Sequence, residues 1–147
     1  VIKFSEHSLK KSLSLANDDA KAFDKVMDAY RLPKSNEMEI KQRKEMILAA
    51  TIGAASTPSL IALEGEKLLS KLPHLAEFGN ANAITDLAAS AELAYTAVYI
   101  ASLNVKINVD SLDNEELSKI QEITLLVLAE SKVLLDEIRN IVSRRME

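Results

Sequence analysis

Apolar residues recur at three- and four-residue steps along most of the chain, the spacing of one face of an α-helix. The first run covers about residues 5–30 and predicts one buried helical stripe, formed by Leu9, Leu13, Ala16, Ala20, Phe23, Met27 and Tyr30. It ends at Leu32-Pro33, because the residue before a proline is pushed out of helical conformation. A second helix should begin near Asn36, capped by Ser35 or Asn36.

Two prolines interrupt the pattern that follows. Apolar positions continue beyond Pro58, so we expect a kink or a short break there, with Thr57 capping the resumed helix. Pro73 marks a further interruption, and Gly79 is expected in the left-handed conformation at a helix end. Asn80 or Asn82 can cap the next helix.

That next helix, from Asn82 to about Lys106, is rich in alanine and contains no helix breaker. Small side chains let helices approach closely, so we expect it at the centre of a bundle. Residues 105–109 are treated as a helix end running into a loop, since a lone short strand has nothing to pair with. Ser111 or Asp113 should start the last helix. The prediction is an all-α, single-domain bundle over residues 1–147 with a long central Ala-rich helix.

Composition agrees with this picture and limits the function. The chain is 48% hydrophobic but only 4% aromatic, and its net charge of -4 comes from acidic and basic residues mixed along the chain. No nucleic acid partner is therefore predicted. The absence of cysteine excludes disulfides and thiolate nucleophiles. The sequence has no uninterrupted apolar stretch of roughly 18–20 residues and no signal-peptide core, so we expect a cytoplasmic protein without a membrane partner.

Two stretches carry a resemblance to a known family. The first is DDAKAFDKVMDAYRLPK at residues 18–34, and the second is FGNANAITD at residues 78–86 with SLNVKIN at residues 102–108. In order, spacing and residue type they resemble the formiminotetrahydrofolate cyclodeaminase and methenyltetrahydrofolate cyclohydrolase family. The resemblance runs from Leu13 to the last helix. It departs in one respect: the family usually opens with a helix carrying a proline and consecutive glycines, whereas the only glycines here are Gly53, Gly65 and Gly79.

The resemblance implies a helical homodimer that binds reduced folate near helix ends and the subunit contact. No cofactor is expected beyond the tetrahydrofolate substrate. The favoured activity converts 5-formiminotetrahydrofolate to 5,10-methenyltetrahydrofolate with release of ammonia. The alternatives are a methenyltetrahydrofolate cyclohydrolase and a non-catalytic helical interaction module.

A carboxylate can move protons and stabilise a cationic amidine in either reaction, and Asp86 is the candidate catalytic residue. The candidate substrate-binding residues inside the matching stretches are Asp24, Tyr30, Asn80, Asn82, Asn104, Lys106 and Asn108. Each has a plainer interpretation as well. The asparagines are suitable helix caps, Asp86 and Lys106 complement helix dipoles, and Asp28 with Arg31 forms a surface ion pair.

Helix geometry restricts these candidates. Asp86 and Asn104 lie roughly 27 Å apart along one helix, so they cannot share a pocket within one subunit. If both serve one folate, an antiparallel partner chain must bring the two ends together. His7 and His74 show no ligand-like spacing, and no metal site is predicted.

Overall fold

The computed structural model describes residues 2–147, and these residues form five α-helices, a short 3₁₀ turn and no strand. The expectation of an all-helical fold is confirmed. The helices are α1 (Ile2–Arg31), α2 (Glu37–Leu69), α3 (Leu72–Phe78), α4 (Ile84–Val109) and α5 (Glu115–Met146), with the 3₁₀ turn at Ala81–Ala83 before α4.

Helix α2 packs against α1, α4 and α5, and α4 packs against α2 and α5. The central cluster of buried residues comes from α2, α3, α4 and α5. Close approach depends on small side chains at several points, such as Ala62 on α2 and Ala91, Ala94 and Ala101 on α4. Helix α1 lies outside that cluster and attaches to α2.

Contacts between distant residues fix the helix directions. Ser8 of α1 donates a hydrogen bond to Glu64 of α2, whereas Arg43 near the start of α2 donates to the Tyr30 carbonyl at the end of α1. Asn108 near the end of α4 reaches the Ala54 carbonyl, whereas Val98, earlier on α4, lies beside Gly65, later on α2. Helices α1 and α4 therefore both run opposite to α2, and parallel to each other.

The ends of the helices agree with the sequence-based expectation at one position and differ from it at others. Asn36 caps α2 as expected, accepting the N–H of Glu39 at 2.9 Å. Asn114, rather than Ser111 or Asp113, caps α5. Helix α4 continues to Val109. Gly79 is extended, with φ −76° and ψ 178°, so the left-handed prediction is wrong.

Helix α2 continues through Pro58 without a break, and Thr57 does not cap a new helix. The Thr57 hydroxyl instead donates to the Gly53 carbonyl. Proline has no N–H, so it leaves the carbonyl four residues earlier without its helical partner. That carbonyl belongs to Ala54, and it accepts a hydrogen bond from the Asn108 side chain at 3.1 Å. The neighbouring helix thus supplies the donor that Pro58 lacks.

The stripe predicted to be buried on α1 is exposed in the single chain. At least 60% of the surface of three of its large side chains is exposed: 62% for Leu9, 60% for Leu13 and 63% for Phe23. The buried residues of α1 are instead Ser8, Leu15, Ala22 and Ala29, on the side that packs against α2. We call the exposed stripe the α1 row: Leu9, Leu13, Ala16, Ala20, Phe23, Met27 and Tyr30.

Helix α4 carries a similar exposed row, although the opposite side of the helix is buried. Its members follow one another at steps of four and three residues, and each is exposed. We call it the α4 row: Asp86, Ser90, Leu93, Ala97, Ile100, Asn104 and Ile107. The Ala-rich helix is therefore covered on only part of its circumference.

One described stretch, Glu37–Phe78, is long and apolar enough to cross a membrane by length and composition alone. The core helix of a globular bundle passes the same test, and 39% of its most apolar window is buried inside this fold. The same stretch buries Thr51, Ser59 and the charged Glu64 against neighbouring helices. A buried and ion-paired Glu64 is a feature of a helix that packs within a bundle.

Candidate active site

A cavity of about 490 Å³ opens where the start of α1, the end of α2, α3 and the start of α4 meet. Its wall is mostly apolar, with a few polar groups, which is typical of sites for small molecules. We call it the Asp86 cavity, and it is lined by Phe4, Ser5, Leu68, Lys71, Leu72, Leu75, Gly79, Asn80, Ala83, Ile84, Asp86, Leu87 and Ser90.

Asp86 lies in the first turn of α4, where the partial positive charge of the helix start favours an anionic group. Its backbone carbonyl accepts a hydrogen bond from the Ser90 hydroxyl at 2.8 Å. Within residues 2–147, no protein group forms a hydrogen bond or ion pair with the Asp86 carboxylate. The carboxylate is therefore available to a ligand in the cavity.

Asn80 combines a structural role with a place in the cavity wall. Its side-chain oxygen accepts the backbone N–H of Asn82 at 3.0 Å and so caps the 3₁₀ turn that leads into α4. The Asn82 side chain is exposed and does not line the cavity. The structure therefore brings Asp86 and Asn80 together, and leaves Asn82 as a residue of the supporting turn.

Gly79 and Arg145 hold this turn in place. A Cβ at Gly79 would lie 2.4 Å from the Leu75 carbonyl oxygen, so only glycine fits the close approach. Arg145 at the end of α5 donates to the carbonyls of Ala76 at 2.6 Å and Gly79 at 3.0 Å. The sequence did not predict this contact, because Arg145 is separated from Ala76 by 69 positions and from Gly79 by 66 positions.

Lys71 is the cationic group of the cavity wall among the described residues. Its ammonium lies 6.0 Å from the centre of the Phe4 ring, within the range of a cation–π contact. Lys71 lies outside both matching stretches, so it is not among the residues predicted from the sequence. It places a positive charge where an anionic part of a ligand can be bound.

The remaining candidate residues lie at the opposite end of the bundle. Tyr30 is half-exposed, and its ring lies 5.6 Å from the Arg43 guanidinium. Asp24 is exposed on α1, one turn before Asp28, which pairs with Arg31 at 3.0 Å. The prediction of an Asp28–Arg31 ion pair is confirmed.

The three candidate residues near the end of α4 have different surroundings. The Asn108 amide nitrogen donates to the carbonyls of Ala54 and Asn104, so both its hydrogens are used inside the protein. Lys106 lies two residues away, on another side of the helix, and pairs with Asp110 at 2.6 Å. Asn104 is exposed on the α4 row. Within one chain, none of these side chains lines the Asp86 cavity.

No cluster of three or more metal-ligating side chains occurs among residues 2–147. The His74 ring packs on Phe78, with ring centres 5.0 Å apart, near the start of the turn that Arg145 holds. His74 is therefore used in packing.

Comparison with known proteins gives a consistent result. The model of the formiminotransferase-cyclodeaminase family matches residues 1–123. The methenyltetrahydrofolate cyclohydrolase of Methylorubrum extorquens is 32% identical over 114 residues, which are 78% of this chain and 55% of that protein. The formimidoyltransferase-cyclodeaminase of Gallus gallus is 29% identical over 79% of this chain and 21% of its own length.

A solved structure shares the fold. The formiminotetrahydrofolate cyclodeaminase of Thermotoga maritima superposes with a TM-score of 0.82 at 28% sequence identity. The match covers 97% of this chain and 67% of that one. The chain thus spans about half the length of the bacterial cyclohydrolase, a fifth of the avian enzyme and two thirds of the solved structure.

Proposed function

Because this chain belongs to the formiminotransferase-cyclodeaminase family, we propose that it acts on one-carbon adducts of tetrahydrofolate in the cytoplasm. The favoured reaction converts 5-formiminotetrahydrofolate to 5,10-methenyltetrahydrofolate and releases ammonia. The observation that carries the proposal is the Asp86 cavity, where a carboxylate that pairs with no described protein group lies at a helix start beside an apolar wall.

The reaction needs a group that can take up one proton and return it. The folate N10 attacks the formimino carbon carried on N5, and the new bond obliges N10 to lose its proton. The Asp86 carboxylate accepts that proton and passes it to the amino group, which then leaves as ammonia. Before it takes up this proton and after it returns it, the ionised carboxylate stabilises the two cationic amidines of the reaction, the formimino adduct and the methenyl product.

Other residues of the cavity suit binding of the folate itself. The apolar wall, which includes Leu72, Leu75 and Leu87, can pack against the faces of a reduced pterin. Asn80 can meet the polar edge of the ring, and Lys71 can bind a carboxylate of the glutamate tail. The chemistry is proton transfer within the folate adduct, and the proposal includes no further cofactor.

A cyclohydrolase is the second candidate, and the bacterial relative at 32% identity favours it. In that reaction water attacks the bridging carbon of the methenyl product, the bond from this carbon to N5 breaks, and 10-formyltetrahydrofolate forms. One proton of the water goes to N5, again through Asp86, and the other is released to the solvent as the formyl C=O forms. The cavity therefore serves either reaction with the same carboxylate.

The experiment that separates these candidates follows the absorbance of the methenyl chromophore with each substrate. Appearance of the chromophore from 5-formiminotetrahydrofolate supports the cyclodeaminase. Its enzyme-dependent loss from 5,10-methenyltetrahydrofolate, without ammonia production from the formimino adduct, supports the cyclohydrolase instead. Rates equal to the uncatalysed rates with both substrates would contradict an enzymatic function and leave the helical interaction module.

A further inference from the structure

The contact between α1 and α2 changes character along its length. Among the described residues of α1, four are buried, and they recur every seven positions, at Ser8, Leu15, Ala22 and Ala29. Three of them are apolar, whereas Ser8, the one nearest the Asp86 cavity, is polar. The described part of α1 contributes no residue to the central apolar cluster. The position of its first turns therefore depends largely on the polar contact at Ser8.

Glu64 of α2 supplies that polar contact. One oxygen of its buried carboxylate accepts a hydrogen bond from the Ser8 hydroxyl at 2.8 Å, and the other lies 2.8 Å from the Lys11 ammonium. A buried carboxylate is strongly unfavourable without such partners, so the pairing has a well-defined geometry. Because Ser8 and Lys11 are three residues apart, they share one face of α1. Two contacts on that face fix both the position and the rotation of the first turns.

The Glu64 contact lies immediately beside the Asp86 cavity. Phe4, which lines the cavity, precedes Ser8 by one turn of α1. Leu68, which also lines it, follows Glu64 by one turn of α2, and the two helices are antiparallel. Phe4 is half-buried, and its ring lies 6.0 Å from the Lys71 ammonium. Glu64 itself does not line the cavity, so any effect on a ligand passes through the first turns of α1.

We infer that Glu64 is a positioning residue of the Asp86 cavity, which holds Phe4 in place as an aromatic wall for a flat ligand ring. The carboxylate does so through Ser8 and Lys11, without touching the ligand. Aromatic rings pack favourably against one another, and Phe4 is the aromatic side chain among the described residues of the wall. The inference rests on the proposed function in one respect, because the ring that it assigns to this wall is that of the folate.

The same wall sets the place of Lys71. The face of the Phe4 ring attracts the Lys71 ammonium, so a displaced Phe4 would also release the cation proposed to bind the glutamate tail. Asp86 is held by other contacts, since it lies in the first turn of α4 and Arg145 fixes the turn before that helix. Loss of the Glu64 contact should therefore weaken ligand binding and leave the proton transfer unchanged.

A tryptophan at position 4 reports the wall without any ligand, since the natural chain contains no tryptophan. The emission of Phe4→Trp should lie at shorter wavelength than that of tryptophan in water, because this position is half-buried. Adding Glu64→Gln should move the emission toward the value in water. Adding Glu45→Gln, at an exposed position of the same helix, should leave it unchanged. No shift with Glu64→Gln in a folded protein would overturn the inference.

Steady-state kinetics in the natural background then separate binding from chemistry. Glu64→Gln should raise KM for the folate adduct about tenfold, the equivalent of one aromatic contact, and change kcat by less than about twofold. Val127→Ala is a control for general loss of stability, because Val127 is a core residue of α5, and α5 packs against α2, α3 and α4. It should leave KM unchanged. A fall in kcat at unchanged KM, or an equal rise in KM with Val127→Ala, would overturn the inference.

A double-mutant cycle tests whether Glu64 acts through Phe4. Phe4→Ala removes the wall directly and should raise KM at least as much as Glu64→Gln does. The double variant should then have the KM of Phe4→Ala alone, because the wall that Glu64 positions is already gone. If the two increases multiply instead, the residues act independently and the inference is overturned.

Ser8→Ala is a milder variant for the case in which Glu64→Gln does not fold. It removes the hydrogen bond from the α1 side and keeps the ion pair with Lys11. It should therefore shift the emission and raise KM in the same directions by smaller amounts. No change in either quantity would overturn the inference.

The inference and the proposed function fail in different ways. An emission shift with Glu64→Gln, together with no folate turnover by any form including the wild type, would contradict the proposed function while supporting the placement of Phe4 by Glu64. Turnover with a wild-type KM in Glu64→Gln would leave the function intact and overturn the inference.

Discussion

Glu64 is the buried charge through which α1 is attached to α2. Its side chain is only 5% exposed, accepts a hydrogen bond from Ser8 at 2.8 Å and pairs with Lys11 at 2.8 Å. Burial acts to raise the pKa of this carboxyl. The hydrogen bonds from Lys11 and Ser8, together with the charges of Lys11 and Lys67, outweigh burial and hold the pKa below its ordinary value of 4.5.

The lowered pKa predicts a pH-dependent stability. Because the folded pKa lies below the unfolded value, the contribution is complete above about pH 4.5 and is lost as the pH falls through the folded value. Glu64→Gln should therefore lower the free energy of unfolding by roughly 2 kcal/mol at pH 7, by leaving Lys11 without its partner. The loss should shrink in acid. Urea unfolding at several pH values measures both effects.

Glu45→Gln is the control, since Glu45 is an exposed residue of the same helix. It should change the unfolding free energy by less than about 0.5 kcal/mol at any of these pH values. A Glu64→Gln penalty that is as large in acid as at pH 7 would show that packing, rather than the charge, attaches α1.

At the scale of whole elements, α2 depends on α4 for its hydrogen bonding at Pro58. The Ala54 carbonyl receives the Asn108 side chain because Pro58 has no N–H to give it. Asn108→Ala should cost about 1–2 kcal/mol, since a buried carbonyl then lacks a partner. In a Pro58→Ala background the helix restores its own bond, so the same change should cost much less.

A double-mutant cycle by chemical denaturation measures this coupling between the two helices. An equal cost of Asn108→Ala in both backgrounds would mean that the two residues act independently. The cycle also tests whether Asn108, a candidate substrate-binding residue, has a structural role. If the amide of Asn108 is needed for packing, its loss should reduce stability in the absence of any folate.

Two glycines of α2 offer a matched test of the α2–α4 contact. A Cβ at Gly65 would lie 2.6 Å from Val98 Cγ2 and 3.3 Å from the Ala94 carbonyl oxygen, whereas a Cβ at Gly53 would meet nothing within 4 Å. Gly53→Ala should stabilise the protein by roughly 0.5–1 kcal/mol through helix propensity. Gly65→Ala should destabilise it by about 1–3 kcal/mol through overpacking.

The melting temperatures of the two glycine variants should therefore move in opposite directions. Val98→Ala should partly relieve the Gly65→Ala defect, because it removes the methyl group that the new Cβ approaches. Stabilisation by both Gly→Ala changes would refute the close contact of these helices.

At the scale of the whole molecule, the sequence predicts where the helices lie in the chain better than it predicts which face of each helix is buried. The steps of three and four residues identify the long helices, and Pro33 and Pro73 place two of their limits correctly. The same steps mislead on α1, because periodicity shows that a face is apolar and not which partner covers it. Leu9 and Phe23 satisfy the pattern, yet the buried residues of α1, such as Leu15, lie on another face.

In the candidate site too, residues that are close in sequence could be predicted, whereas contacts between distant elements could not. Asp86 and Asn80 lie close in sequence at one helix start, and both line the cavity. Lys71 and Arg145 could not be found from the sequence, because their roles depend on contacts made by distant elements. Lys106 matches the family motif but points to another side of α4 and pairs with Asp110. Motif membership alone therefore does not show that a side chain reaches the cavity.

The direct test of the account is the turnover of Asp86→Asn, followed through the methenyl chromophore with both folate adducts. Asn keeps the shape of the side chain but cannot carry the proton, so the rate should fall by roughly 10²–10⁴-fold. The helical content should be unchanged. Asp113→Asn, at an exposed position in the loop before α5, should retain the wild-type rate. A wild-type rate in Asp86→Asn would contradict the assignment of the chemistry to this cavity.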